Sequence, residues 1–183
     1  MKKTKIFFLL IMFTLFSSVS NAAYKKLAYD FSFNDLDGTK IKLSEFKNNV
    51  LVITNVASKC GFTSQYEDLQ TIWEKYQKDG LVVIGVPSNS FNQEPGSNEE
   101  VKYFCEAKFG ISFPMTQKAE VKGENAHPFF KWANENYGKK AIPKWNFHKI
   151  IVGKDGKIFG TFSSITNPTS KKFITSIEEA LKK

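Results

Sequence analysis

The chain contains no arginine; all 26 of its basic residues are lysines. Without a guanidinium it cannot grip a carboxylate or phosphate through the planar, paired donors that bidentate recognition uses. Cysteine is equally scarce, with only Cys60 and Cys105 present, which excludes a small scaffold stapled by several disulfides. The two histidines, His127 and His148, stand 21 positions apart with no cysteine beside them. That spacing offers neither a zinc set nor a haem-attachment motif, so no metal and no other cofactor is expected. The sequence also lacks internal repeats, low-complexity tracts and any apolar run approaching the roughly 20 residues that span a bilayer. The formal charge is +8, but its lysines are spread along the chain and do not alternate with aromatics in one stretch. Such a surplus reads as a solvated surface and not as a nucleic-acid footprint.

What is present begins with an address. Lys2, Lys3 and Lys5 form a basic segment, Ile6 to Phe16 an apolar core of 11 residues, and Ser20-Asn21-Ala22 a small-x-small cleavage site. Residues 1–22 therefore read as a signal peptide, cut near Ala22. Its core is too short to anchor in a membrane, and no cysteine follows to carry lipid. The remaining residues, 23–183, form one exported domain, periplasmic or secreted, of a size that can build a full hydrophobic core without disulfides. Removing three lysines leaves that domain at +5.

Hydrophobic period and punctuation outline the elements of an α/β fold. Phe31-Ser32-Phe33 and Thr39 to Leu43 alternate around Asp37-Gly38, the signature of a hairpin. Residues 50–57 form an unbroken apolar run and predict a buried strand. Tyr66, Leu69, Trp73 and Tyr76 predict one face of a helix that Gly80 closes. Residues 81–86 predict a second buried strand, parallel to the first across the helical crossover. Ser97-Asn98-Glu99-Glu100 is a capping box that opens a helix ending near Gly110. Further strands are predicted at 115–121, 145–152 and 158–162, with helices at 126–137 and 170–182. The order is hairpin, βαβ, α, ββα. It matches a thioredoxin-like fold, a central mixed sheet flanked by helices with an N-terminal hairpin.

Cys60 falls where the first buried strand gives way to the first helix, beside Lys59. There the helix dipole and a cation both favour thiolate. The competing reading is a buried structural cysteine, because free cysteine is among the most buried residue types. Cys60-Gly61-Phe62-Thr63 is not a C-x-x-C motif, so a local dithiol exchange is excluded. A lone nucleophilic sulfur points instead to a target such as a peroxide O–O bond. For Cys105, the i, i+3, i+4 spacing of Val101, Phe104 and Cys105 fits a small core side chain on a helix.

Three segments carry a family resemblance. Asn55-Val56-Ala57-Ser58-Lys59-Cys60-Gly61-Phe62-Thr63, Asn92-Gln93-Glu94-Pro95-Gly96-Ser97-Asn98-Glu99-Glu100 and Lys144-Trp145-Asn146-Phe147 resemble, in order, the signature segments of glutathione peroxidases. The resemblance runs from about Tyr29 to the C-terminus. It implies a thioredoxin-like fold and a peroxidatic Cys60 gathered with Gln93, Trp145 and Asn146. An indole N–H and two amides can support an anionic sulfur and protonate the departing oxygen without adding a rival nucleophile. Taken singly, Trp145 reads as core aromatic and Gln93 and Asn146 as loop amides.

The segment from Phe104 to Gly110 resembles the place where thioredoxin-dependent members carry a resolving cysteine, on a helix that must unwind locally. By that likeness Cys105 resolves the Cys60 sulfenic acid. Where the family often reads Pro-Cys-Asn-Gln-Phe, this chain reads Pro87-Ser88-Asn89-Ser90-Phe91, one residue shorter before Gln93, leaving Cys105 as the remaining resolving partner. The implied activity is reduction of hydrogen peroxide and organic hydroperoxides in oxidative-stress defence. The implied reductant is a thioredoxin-like dithiol protein, or else glutathione, whose two carboxylates would meet only lysine point charges. The short segment 134–144 ahead of Trp145 implies a monomer, since tetrameric members carry a long insertion there. The alternatives from other classes are a redox sensor or metal-handling module on the same fold, and a structural Cys60–Cys105 bridge.

Overall fold

The computed structural model describes residues 24–183, so the proposed signal peptide lies outside the described residues. Strands β1 (Ser32–Asn34) and β2 (Lys40–Lys42) form the antiparallel hairpin. A four-stranded sheet follows, in the order β4-β3-β5-β6, from β3 (Val50–Val56), β4 (Leu81–Pro87), β5 (Lys149–Val152) and β6 (Ile158–Phe162). β3 pairs with β4 in parallel and with β5 antiparallel, and β5 with β6 antiparallel. Helices α1 (Gln65–Tyr76), α2 (Asn98–Phe109), α3 (Pro128–Tyr137) and α4 (Lys171–Lys182) complete the chain.

β3 and β4 are buried along their whole length, as expected of parallel strands covered on both faces. The period-2 pleat divides them between two cores. Val50, Val52 and Val56 face α1, α2 and α4 through Tyr66, Leu69, Val101, Cys105, Phe173 and Ile177. Leu51 and Ile53 face α3 and the hairpin through Phe33, Phe129, Phe130 and Trp132. The capping box at Ser97 forms, Ser97 Oγ accepting from Glu100 N at 3.2 Å and Glu100 Oε2 from Ser97 N at 2.7 Å. Gly80 and Gly110 take the left-handed conformation after their helices, at φ of 94° and 57°. Among the described residues no helix is long and apolar enough to cross a membrane.

Two predicted strands are corrected. Residues 115–121 form no strand: Met115 makes a single parallel bridge to Gly85, and Thr116 a single antiparallel bridge to Asp35. The segment shares its hydrogen bonds between two partners, Thr116 N to Gly85 O on one side and Gln117 N to Asn34 O on the other. It stitches the hairpin to the sheet edge without extending either. Residues 145–148 likewise lie outside β5, because Phe147 turns the chain at a φ of +63°. That conformation is strained for an aromatic residue, of the kind that clusters at functional sites.

Gly85 permits the Met115 contact: a Cβ there would collide with the Met115 thioether and press on the Phe113 ring at 3.2 Å. We expect Gly85→Ala to cost about 1–3 kcal/mol, the usual penalty for overpacking. A lower urea midpoint at unchanged slope would show it, whereas an unchanged midpoint would mean the edge segment yields freely.

Candidate active site

The site begins with a buried amide. Asn55 sits in β3 with no solvent exposure, between Thr54 and Val56 in a strand that is otherwise largely apolar. Its Oδ1 accepts from His148 N at 3.1 Å, and its Nδ2 donates to Trp145 O at 3.2 Å. Its main-chain oxygen accepts from Phe147 N at 2.6 Å. The side chain thus replaces the ladder that the turn at Phe147 interrupts, and fixes the Trp145-Asn146-Phe147 segment to the end of β3.

Asn146 is fully buried and donates from Nδ2 to Gln93 Oε1 at 2.8 Å. Because Gln93 uses its oxygen here, its own Nε2 hydrogens remain uncommitted among the described residues. The Gln93 carbonyl accepts from Lys59 N at 3.0 Å, which places this segment beside the residue preceding Cys60. Trp145 differs from the core reading: it is 40% exposed and lies against Phe91, ring centroids 5.4 Å apart. The structure therefore brings the Gln93 and Trp145–Asn146 segments together against the turn that carries Cys60.

That turn also departs from expectation. α1 begins at Gln65, so Cys60 lies upstream of the first helical turn, where the dipole has faded. Lys59 is exposed, while Cys60 is 5% exposed. A backbone donor serves the sulfur instead, Phe62 N lying 3.5 Å from Cys60 Sγ. The bonds Thr63 N to Cys60 O, Gln65 N to Phe62 O and Tyr66 N to Thr63 O wind the turn into the helix.

Glu94 and Asn55 are residues that the sequence motifs contained but whose roles were not read from them. Glu94 is buried, and its Oε2 accepts from Ser58 N at 2.7 Å and Ser58 Oγ at 2.9 Å. Burial pushes the pKa of its carboxyl up, disfavouring the charged form, against the opposing pull of the Ser58 bonds and of Lys118 and Lys59. Both are polar residues of a motif that the fold buries completely, with their partners far away in sequence.

Cys105 occupies the buried face of α2, 1% exposed, and both cysteines are free thiols in one apolar cluster. Burial pushes the Cys105 thiol up to about 11, and the nearby Tyr66 hydroxyl acts in the opposite sense. Beyond the site, burial and the charge of Lys149 push His148 down to about 4, and burial pushes Lys149 down to about 7. The Lys149 ammonium is held by Gln65 at the head of α1 and by Thr166 O at 2.7 Å.

A thioredoxin-like sheet with a free thiol at the turn between its first central strand and first helix defines a class, that of thiol-dependent redox proteins. The glutathione peroxidase family profile matches residues 28–134. A hydroperoxy fatty acid reductase of Synechocystis sp. is 44% identical over 149 residues, covering 76% of this chain and 88% of its own. A glutathione peroxidase homolog of Bacillus subtilis, BsaA, is 46% identical over 145 residues, covering 76% and 90%. Among solved structures, Trgpx in its apo form superposes with a TM-score of 0.69 at 34% identity, covering 87% of this chain and 97% of that one. A thioredoxin-family thiol:disulfide interchange protein of Chlorobium tepidum shares the fold at a TM-score of 0.63, with 17% identity over 82% of this chain and 92% of its own. The chain belongs to the glutathione peroxidase family and is a thiol-dependent peroxidase. The non-catalytic readings give way accordingly.

The Ser58–Glu94 clamp predicts a graded response. Glu94→Ala should slow oxidation of Cys60 by peroxide roughly tenfold, the scale of losing hydrogen bonds to a charged group. Glu94→Gln, whose amide oxygen still accepts, should stay within about threefold of the parent by the same reasoning. Stopped-flow kinetics of the two variants decides it; equal losses in both would refute the clamp.

Proposed function

We propose that Cys60 is the peroxidatic residue, that Gln93, Trp145 and Asn146 are its donors, and that Cys105 resolves the oxidised sulfur. The Cys60 thiolate attacks the terminal oxygen of a hydroperoxide, the O–O bond breaks, and the departing alkoxide or hydroxide takes a proton. The products are a sulfenic acid and an alcohol or water. The observation that carries this reading is the Asn146–Gln93 bond of 2.8 Å, which turns the Gln93 oxygen away and frees its N–H donors beside the Cys60 turn. Neutral donors of this kind stabilise charge as it develops on oxygen without quenching the nucleophile.

Resolution by Cys105 requires α2 to open, and the helix is built to do so cheaply. Only Val101 and Cys105 of its 12 residues are buried, against six in α1. Few buried contacts mean a low cost of local unfolding. A depression of about 330 Å³ lies between Ser58-Lys59 and Val101-Phe104, giving the opening segment room.

The reductant is a thioredoxin-like dithiol protein, in preference to glutathione. An intramolecular disulfide suits a dithiol partner, and a surface without arginine offers only point charges to the glutathione carboxylates. The similarity to a glutathione peroxidase-like peroxiredoxin of Saccharomyces cerevisiae, 42% identical over 147 residues and covering 78% of this chain and 90% of its own, agrees with this. The name of the Synechocystis relative favours organic hydroperoxides alongside hydrogen peroxide.

Cys60→Ser should abolish peroxide reduction. Cys105→Ser should accumulate a Cys60 sulfenic acid that mass spectrometry detects, while the parent forms the internal disulfide and turns over with thioredoxin. Turnover with glutathione and none with thioredoxin would overturn the reductant. The enzyme is further proposed to be exported and monomeric. Protein recovered from outside the cytoplasm should begin near Ala23 and scatter light as one chain; an intact N-terminus, or a larger particle, would count against each point.

A further inference from the structure

We infer that Tyr66 is a further catalytic residue of the resolving step: its buried hydroxyl donates a hydrogen bond to the Cys105 sulfur as that sulfur becomes anionic and attacks. The inference rests on the reading of Cys105 as the resolving cysteine.

Tyr66 stands in the first turn of α1 and has no solvent exposure. Its hydroxyl finds no oriented hydrogen-bond partner in the reduced protein. Buried polar groups are almost always satisfied, so one left over calls for a reason. The hydroxyl lies beside Cys105, and the same region feels the charges of Glu94 and Cys60. Tyr66, Cys60 and Cys105 belong to one buried apolar cluster. Burial, then the nearby Cys105, holds its ionisation well above the ordinary tyrosine range, so it remains a donor.

The surroundings fit a part used in motion. The ring of Tyr66 meets Phe104 at 6.3 Å and Phe109 at 5.2 Å, the two aromatics that flank Cys105 on α2. On its other side it meets Phe147 edge-on at 5.2 Å, in the segment that carries Trp145 and Asn146. α2 therefore docks on Tyr66, which is held by the firmly packed α1.

The step balances as follows. The Cys105 thiol loses its proton, and its sulfur attacks the sulfur of the Cys60 sulfenic acid. An S–S bond forms, the S–O bond breaks, and the departing hydroxide takes up a proton to leave as water. Cys105 is oxidised and Cys60 is reduced. The phenol O–H opposes the penalty of placing charge on a buried sulfur, a task made harder by Glu94 and Glu106, both of which disfavour the Cys105 thiolate.

Tyr66→Phe removes only the hydroxyl and keeps the ring in place. Reduced parent and variant are mixed with hydrogen peroxide, then quenched over time, and sulfenic acid and disulfide are separated by mass spectrometry. Cys60 should oxidise at the parental rate, while disulfide formation slows about tenfold or more, the factor that a hydrogen bond to an anion commands. The pH at which resolution reaches half its maximum should rise. Parental resolution at every pH would overturn the inference, as would equal slowing of both steps, which marks a packing role. A parent protein that forms no Cys60–Cys105 disulfide would overturn the resolving reading and this inference together, and is told apart because the failure appears before any substitution at Tyr66.

Discussion

The rest of the site hangs on one buried amide. Asn55 meets the turn at Phe147 and shares four hydrogen bonds with it, two through its side chain and two through its backbone. Each buried group left unpaired would cost about 1–3 kcal/mol, so the Trp145–His148 segment has little freedom to sit elsewhere. From there the path is short: Asn146 holds Gln93, Gln93 holds Lys59, and Cys60 follows. The Trp145–Asn146 and Gln93 segments and the Cys60 turn are thus joined by a relay of polar contacts between residues 34 to 90 positions apart in the chain.

The two sides of the chemistry are built with opposite stiffness. The peroxidatic turn is clamped by Glu94, runs into a well-buried α1, and is backed by Lys149 reaching from β5 to Gln65. Such preorganisation lets donors stabilise developing charge without first being rearranged. The resolving side is a helix capped at both ends but anchored by only two buried side chains. In the proposed cycle it keeps Cys105 covered until Cys60 is oxidised, so that local stability governs when the second sulfur is available.

Much of this was legible in the sequence wherever the cause is local. The strand-turn-helix junction at Cys60, the capping box at Ser97 and the left-handed glycines after α1 and α2 are short-range devices, and each stands where it was read. The misread pieces have distant causes. Met115–Val121 has strand composition, but its hydrogen bonds are divided between β1 and β4. Trp145 reads as the start of a strand until Asn55 is seen to take over the pairing at Phe147. Tyr66 matched the apolar face of a helix, and nothing in its spacing could show that its hydroxyl lies beside a cysteine 39 positions away.

The account turns on Gln93 and Asn146 acting on Cys60 as one unit. A double-mutant cycle on the rate of Cys60 oxidation by hydrogen peroxide, with Gln93→Ala, Asn146→Ala and the pair combined, tests this most directly. The account predicts that either single change slows oxidation strongly and that the second adds little. Two independent, multiplying losses, or no loss at all, would contradict it.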